Sequence, residues 1–284
     1  MTARRILVTM PITLDIRREL IANYVPLSLH VVWRLVRNGL PFDEALNGKT
    51  DLYRCTALYD GKILPDHPPA GWRCQPWERA ADALEAILAR HEADADSSAL
   101  EREGYEVLRP LLEPAFERDV AGWPRIENRP YGFFTYQVTD QWLGGQTVIT
   151  LHLANPFAPA SPLADLPGRA RELRRLVDDV TGAWARDDPT RPALERIGTG
   201  SWLNALPPFA RLFPPEWAAG ARPFPRLVPG KGWWGQFIDR RGGYHRRNGD
   251  HLRRTGRFPY PVLNCTCSVD ALRQHLAERF GVTS

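Results

Sequence analysis

Apolar residues recur at intervals of three and four along "LDIRRELIANYVPLSLHVVWRLVRNG", the spacing that gathers them on one face of an α-helix. Thr13 supplies an N-cap, Pro26 predicts a kink, and Gly39 is placed to end the helix. Before it, "RILVTM" is an apolar run of strand length and reads as a buried strand. After it, "DLYRCTALYDGKIL" alternates and then reaches Asp60-Gly61, a pair that predicts a tight hairpin turn. Two more amphipathic helices are expected, from about Pro76 to Glu92 and from about Leu100 to Phe116, separated by the small polar stretch "ADADSS".

The texture changes near Pro130. "YGFFTYQVTDQWLGGQTVITLHLAN" is β-branched and aromatic on both sides of Gly144-Gly145, which predicts a long antiparallel hairpin. A proline-rich loop, a helix over "RARELRRLVDDVTGAWARD", a short strand "ERIGTGS" and a helix through "WLNALPPFARLF" follow. Further strands are expected at "WWGQFIDR" and "VLNCTCS", and Ser268 caps a closing helix that stops at Gly281. The pattern predicts an α+β fold, a mostly antiparallel mixed sheet with flanking helices. It also predicts two domains: a mostly helical region with a short hairpin over residues 1–129, and an α+β domain over 130–284.

Composition narrows the class. The chain has 284 residues, 43% of them apolar, enough to bury a substantial core. No run of about 18 apolar residues occurs, so no helical membrane span is expected. "ILVTMPITL" is broken by Pro11 and followed by charges, unlike a secretory signal, so a soluble cytoplasmic protein is expected. Four scattered cysteines agree with a reducing compartment.

Charge is where the sequence becomes specific. From Lys231 to Arg257, eight Lys/Arg stand against two Asp/Glu, so a chain of net charge +4 carries +6 in that window and −2 elsewhere. Arg240, Arg241, Arg246, Arg247, Arg253 and Arg254 come in pairs, with Tyr244 and His245 interleaved. Arginine binds phosphate through two parallel hydrogen bonds and stacks on bases, which is the footprint expected for RNA or a nucleotide. The alternative is a solvated helix face whose arginines pair with carboxylates of the chain itself.

The order strand, loop, helix, strand, helix from "TVITLHLAN" through "RARELRRLV" to "RIGTGSWLNALPPFARLF" resembles the core of the GNAT superfamily of acyltransferases, over about residues 131–219. That resemblance implies an acyl donor lying between two splayed strands, with an amine or hydroxyl acceptor opposite. The family's pyrophosphate turn, Gln/Arg-x-x-Gly-x-Gly/Ala, has only "ADLPGRAR" in its place, which favours a donor other than coenzyme A. Aminoacyl-tRNA would satisfy both the acyl chemistry and the arginines.

His245 and His251, with Asp250 between them, are the candidate acid–base group, since neighbouring arginines favour a neutral imidazole. Ser201 and Asn204 stand at a strand-to-helix turn, where they either meet a substrate or cap the helix, and Trp202 lies beside them. Trp233 and Trp234, on opposite faces of the expected strand, would put one ring in the core and one over a ligand. His152 on the expected central strand either reaches a cleft or sits in the core, and His30 belongs to no visible constellation. Cys265 and Cys267 share a strand face but lack the Cys-x-x-Cys spacing of structural zinc, so no metal and no cofactor is expected. The sequence thus points to an enzyme that joins an activated acyl group, aminoacyl-tRNA before acyl-CoA, to a small amine or hydroxyl acceptor. A non-catalytic RNA- or nucleotide-binding protein is the alternative, and a metal-dependent enzyme the third reading.

Overall fold

The computed structural model describes residues 12–60, 74–142 and 146–283. The expected strand at "RILVTM" and the turns at Gly61 and at Gly144-Gly145 lie outside the described residues. In chain order the helices are α1 (Leu14–Arg37), α2 (Phe42–Lys49), α3 (Gln75–His91), α4 (Ser98–Leu112), α5 (Phe116–Ala121), α6 (Leu166–Asp187), α7 (Pro207–Ala210), α8 (Pro215–Ala219), α9 (Lys231–Trp234), α10 (Arg246–Thr255) and α11 (Val269–Phe280). The strands are β1 (Phe134–Trp142), β2 (Gln146–Leu153), β3 (Arg196–Ser201), β4 (Arg222–Pro223) and β5 (Leu263–Ser268). The protein is α+β, with a five-stranded mixed sheet and flanking helices. Among the described residues no helix is long and apolar enough to cross a membrane.

The chain forms two compact units whose bounds differ from the expected division at residue 130. One contains Pro124–Phe224 and Tyr260–Ser284; the other contains Pro11–Trp123 and Pro225–Pro259. The arginine-rich window therefore belongs with the N-terminal helices. Its apolar residues explain why: Trp234, Phe237 and Leu252 lie in one buried cluster with Leu20, Tyr24 and Val25 of α1.

In the sheet unit the strand order is β1-β2-β3-β5-β4. β1 and β2 form the expected antiparallel hairpin, α6 crosses over, and β3 returns parallel to β2. β5 then pairs antiparallel with β3 on one side and with β4 on the other. Ile149, Leu151, Ile197, Cys265 and Cys267 face α6 and α11, packing against Leu173, Val177, Leu272 and Leu276. Local signals set the helix ends: Asp165 accepts from the Gly168 amide to start α6, Ser268 accepts from Ala271 to start α11, and Gly281, at φ 65°, ends it.

In the helical unit α1 is capped by Thr13 and runs unbroken through Pro26. Two expected strands are corrected here. "LYRC" is a 3₁₀ turn, Leu52–Cys55, because Leu52 and Cys55, three apart, both turn into the core. "KGWWGQF" is α9 followed by a second 3₁₀ turn, since helical spacing brings Trp234 and Phe237 together against Phe258, whereas a strand would part them. The expected helix through 202–213 is also broken, into a 3₁₀ turn at Trp202–Ala205 and the short α7, because Pro207 and Pro208 cannot donate to the preceding turn.

Gly104 fixes how closely α1, α3 and α4 approach. A Cβ there would stand 2.8 Å from Leu29 Cδ1 and 2.9 Å from Leu84 Cδ2. Gly104→Ala is therefore expected to destabilise the protein by roughly 1–3 kcal/mol, through overpacking, in chemical denaturation. An unchanged or higher midpoint would show that this contact is slack.

Candidate functional site

Strand pairing in the sheet unit creates one distinctive place. β2 and β3 pair only at Val148, Ile149 and Thr150 with Arg196, Ile197 and Gly198. Beyond that point the Thr199 hydroxyl donates to the Leu151 carbonyl at 2.9 Å, so a side chain takes over where the backbone ladder stops. The carboxyl ends of parallel strands are where open sheets leave a crevice for ligands.

The face of the sheet opposite α6 is polar at this level. Thr135 pairs with His152, Gly200 pairs with Asn264, and Asn264 pairs with Arg222. Continuing the β2–β3 register sets His152 level with Gly200, so one row across the sheet reads Thr135, His152, Gly200, Asn264, Arg222. Gly200 lies between His152 and Asn264 in this row, and the Phe224 ring packs beside it, 3.5 Å from where a Cβ would stand. His152 is exposed, and desolvation lowers its pKa, favouring the neutral imidazole. The Asn264 Oδ1 is buried without a hydrogen-bond partner, and a Cβ on Gly200 would stand 2.6 Å from it. A buried acceptor without a donor is costly and calls for one. The row can thus take a proton at the exposed His152, while Asn264 Oδ1 stays enclosed.

The residues expected from the strand-to-helix turn have other partners. Ser201 is buried and accepts from the Leu203 amide at 3.2 Å. Asn204 donates to the Thr199 and Leu263 carbonyls at 3.0 and 2.7 Å and accepts from Trp217 Nε1 at 3.2 Å, bolting β3 to β5 and α8. Trp202, half-buried, stacks on Tyr260 at 5.7 Å.

At the start of α6 the anion-binding end is taken by the protein's own carboxylate, Asp165, 2.9 Å from the Gly168 amide. A Cβ on Gly168 would fall 2.1 Å from Asp165 Oδ2. Arg169, buried, pairs with Glu172 at 2.8 Å and lies 3.7 Å over the Phe157 ring. A pyrophosphate brought here would meet Asp165 at close range.

In the helical unit, α10 carries much of the basic window. His245 is its N-cap, with Nδ1 accepting from the Asn248 amide at 3.3 Å. Arg246 pairs with Glu19 at 2.7 Å and Arg253 with Glu101 at 2.5 Å. Asn248, Gly249 and Leu252 are buried, so helical spacing turns Arg247, Asp250 and Arg254 together toward the exposed side, where all three lie. His251 is half-buried one position along, and Arg240 and Arg241 are exposed before the helix. Gly249 leaves room for the Tyr244 hydroxyl, to which a Cβ would come within 1.7 Å. Trp234 is fully buried and donates to the Lys49 carbonyl at 3.0 Å; Trp233 is half-buried, edge-on to Phe258. Cys265 and Cys267 lie in the sheet core, where burial pushes the first thiol to about 11 and the second higher still. Among the described residues no group of three His, Cys, Asp or Glu could hold a metal ion.

His30 does have a constellation, which its sequence neighbours do not reveal. Its Nδ1 lies 2.7 Å from Ser97 Oγ, Ser97 donates to Glu101 Oε1 at 2.5 Å, and Glu101 also accepts from Arg253. The partners are remote in sequence from α1, so no local pattern could have found them. Burial holds the His30 imidazole at about 4, below its ordinary 6.5. Unfolded chain therefore takes up a proton between those values that the folded chain refuses. The stability this residue contributes is full above pH 6.5 and is lost as pH falls toward 4. His30→Gln is expected to flatten the decline of Tm over that window, and an unaltered slope would assign acid lability to other groups.

No protein-family model, curated protein or solved structure matches this chain.

Proposed function

We propose that the protein transfers an acyl or aminoacyl group to a small amine or hydroxyl acceptor at the carboxyl end of the β2–β3 pair. The observation that carries this reading is the three-residue parallel pairing that releases both strands beside an exposed, neutral-favouring His152. The order β2, loop, α6, β3 supports the GNAT resemblance at the level of arrangement. The carboxylate at the α6 N-terminus favours a donor without a pyrophosphate held there, hence aminoacyl-tRNA over acyl-CoA, and a cytoplasmic setting where charged tRNA is available.

In this scheme the acceptor nitrogen or oxygen binds beside the exposed His152 and attacks the acyl carbonyl carbon. His152 takes the acceptor's proton and returns it to the departing ribose oxygen as the ester C–O bond breaks. Holding the two reactants in register supplies much of the rate, with proton transfer adding to it. His152 is the base in this scheme because it lies at the strand ends, whereas His245 caps α10 and His251 lies on that helix. On α10, taken by itself, the exposed Arg247 and Arg254 carry charge that suits the phosphates of a polyanion. The same two residues support the alternative, a non-catalytic RNA-binding protein.

The test is a transfer assay with total tRNA charged with labelled amino acids, run beside acetyl-CoA and offered a panel of small amines and alcohols. Transfer from charged tRNA is expected. His152→Gln should lower kcat by about 10²–10⁴-fold with little change in KM, while Arg247→Gln/Arg254→Gln should raise KM for tRNA and leave kcat intact. tRNA binding without transfer from either donor would favour the binding-protein alternative.

A further inference from the structure

A second polar cluster lies inside the helical unit, around Asp51. Asp51 and Tyr24 are both 3% exposed, and the Tyr24 hydroxyl donates to Asp51 Oδ1 at 2.5 Å. The Trp234 ring stands edge-on to Tyr24 at 5.8 Å and, through its bond to Lys49, anchors the α9 turn beside them. Arg17 of α1, Arg54 of the 3₁₀ turn and Lys231 of α9 surround this pair closely enough to act on the charge of Asp51, Tyr24 or Cys55.

The cations outnumber their counter-charges. Arg17 is matched by Asp119. Arg54 and Lys231 both act on the charge of Asp51, whose burial favours its neutral form, and among the described residues neither has a carboxylate within ion-pair distance. Lys231 is exposed and solvated, so the unmatched charge that the interior must accommodate is that of half-buried Arg54. The hydrogen-bond inventory shows the same imbalance: Arg17 Nε, Arg54 Nε and Trp233 Nε1 are buried donors without an acceptor. Buried N–H groups are normally satisfied, and Arg54 combines an orphan buried Nε–H with an unmatched charge, so an acceptor that is also an anion would answer both. The Arg54 guanidinium reaches the Gly230–Lys231 turn. It lies 5.9 Å over the Tyr59 ring and passes Gly230, whose φ of 132° suits only glycine and whose absent Cβ would stand 3.5 Å from Arg54 Nη1. Lys231, the next residue, is exposed at the rim.

We propose that this cluster binds a small oxyanion, a carboxylate or phosphate carried by a small molecule, with Arg54 as the inner ligand and Lys231 at the mouth. Arginine's fork suits either group. The site lies wholly within the helical unit and stands independently of acyl transfer at the sheet.

Inorganic phosphate and malonate, each titrated at ionic strength held constant with chloride, separate the two sources. At least one is expected to raise Tm and quench tryptophan fluorescence saturably. Arg54→Gln should weaken that affinity tenfold or more, while Arg79→Gln, an exposed arginine on α3, leaves it unchanged. If Arg54→Gln does not fold, Lys231→Gln at the exposed rim gives the same comparison with a several-fold loss expected. Neither anion acting beyond the chloride control, or affinities in the Arg54 and Lys231 variants equal to the parent's, would overturn the proposal.

Discussion

Three residues of parallel pairing between β2 and β3 govern the sheet unit. Because the β2–β3 ladder stops at Thr150 and Gly198, the last residues of the two strands no longer pair with each other, though β1 and β5 still hold them, and the Thr199 hydroxyl donates to the Leu151 carbonyl. The two faces of the sheet then differ. One is apolar and closed by α6 and α11, while the other carries His152, bare Gly200 and the unsatisfied Asn264 in one row. A fully paired, fully apolar version would be more stable and would have no polar row to offer a reactant. Asn204 offsets part of the lost order by tying β3 to β5 just beyond the point of divergence.

The helical unit is shaped by desolvation. His30 is kept neutral by burial, Asp51 and Tyr24 share one short hydrogen bond in the interior, and Arg253 spends its charge on Glu101. Burying charge without a partner is costly, so each such group is tied to a second element. This is also why the basic window divides. Arg246 and Arg253 secure α10 to the rest of the unit, and Arg247 and Arg254 remain turned outward.

Local signals were legible in the sequence. The caps at Thr13, Ser268 and Gly281, the hairpin of β1 and β2, and strands β3 and β5 follow from residue types within a few positions of each other. The errors arose where tertiary contacts overrule the pattern. Alternation in "DLYRC" and aromatic content in "WWGQF" suggested strands, yet both segments coil so that residues three apart enter the same core. The site was partly legible for the same reason. Basic residues clustered in sequence could be seen; a row assembled from β1, β2, β3, β5 and β4 could not, because its members span residues 135–264 and meet only through register. Nor could sequence reveal that Ser201 and Asn204 are occupied, or that Asp165 fills the end of α6.

Hydrogen–deuterium exchange with and without aminoacylated tRNA tests the central claim most directly, since it reports where the donor lodges. Slowed exchange is expected at the carboxyl ends of β2 and β3, over residues 151–154 and 199–202, and less of it with uncharged tRNA. Protection confined to α10, identical for charged and uncharged tRNA, would contradict that claim.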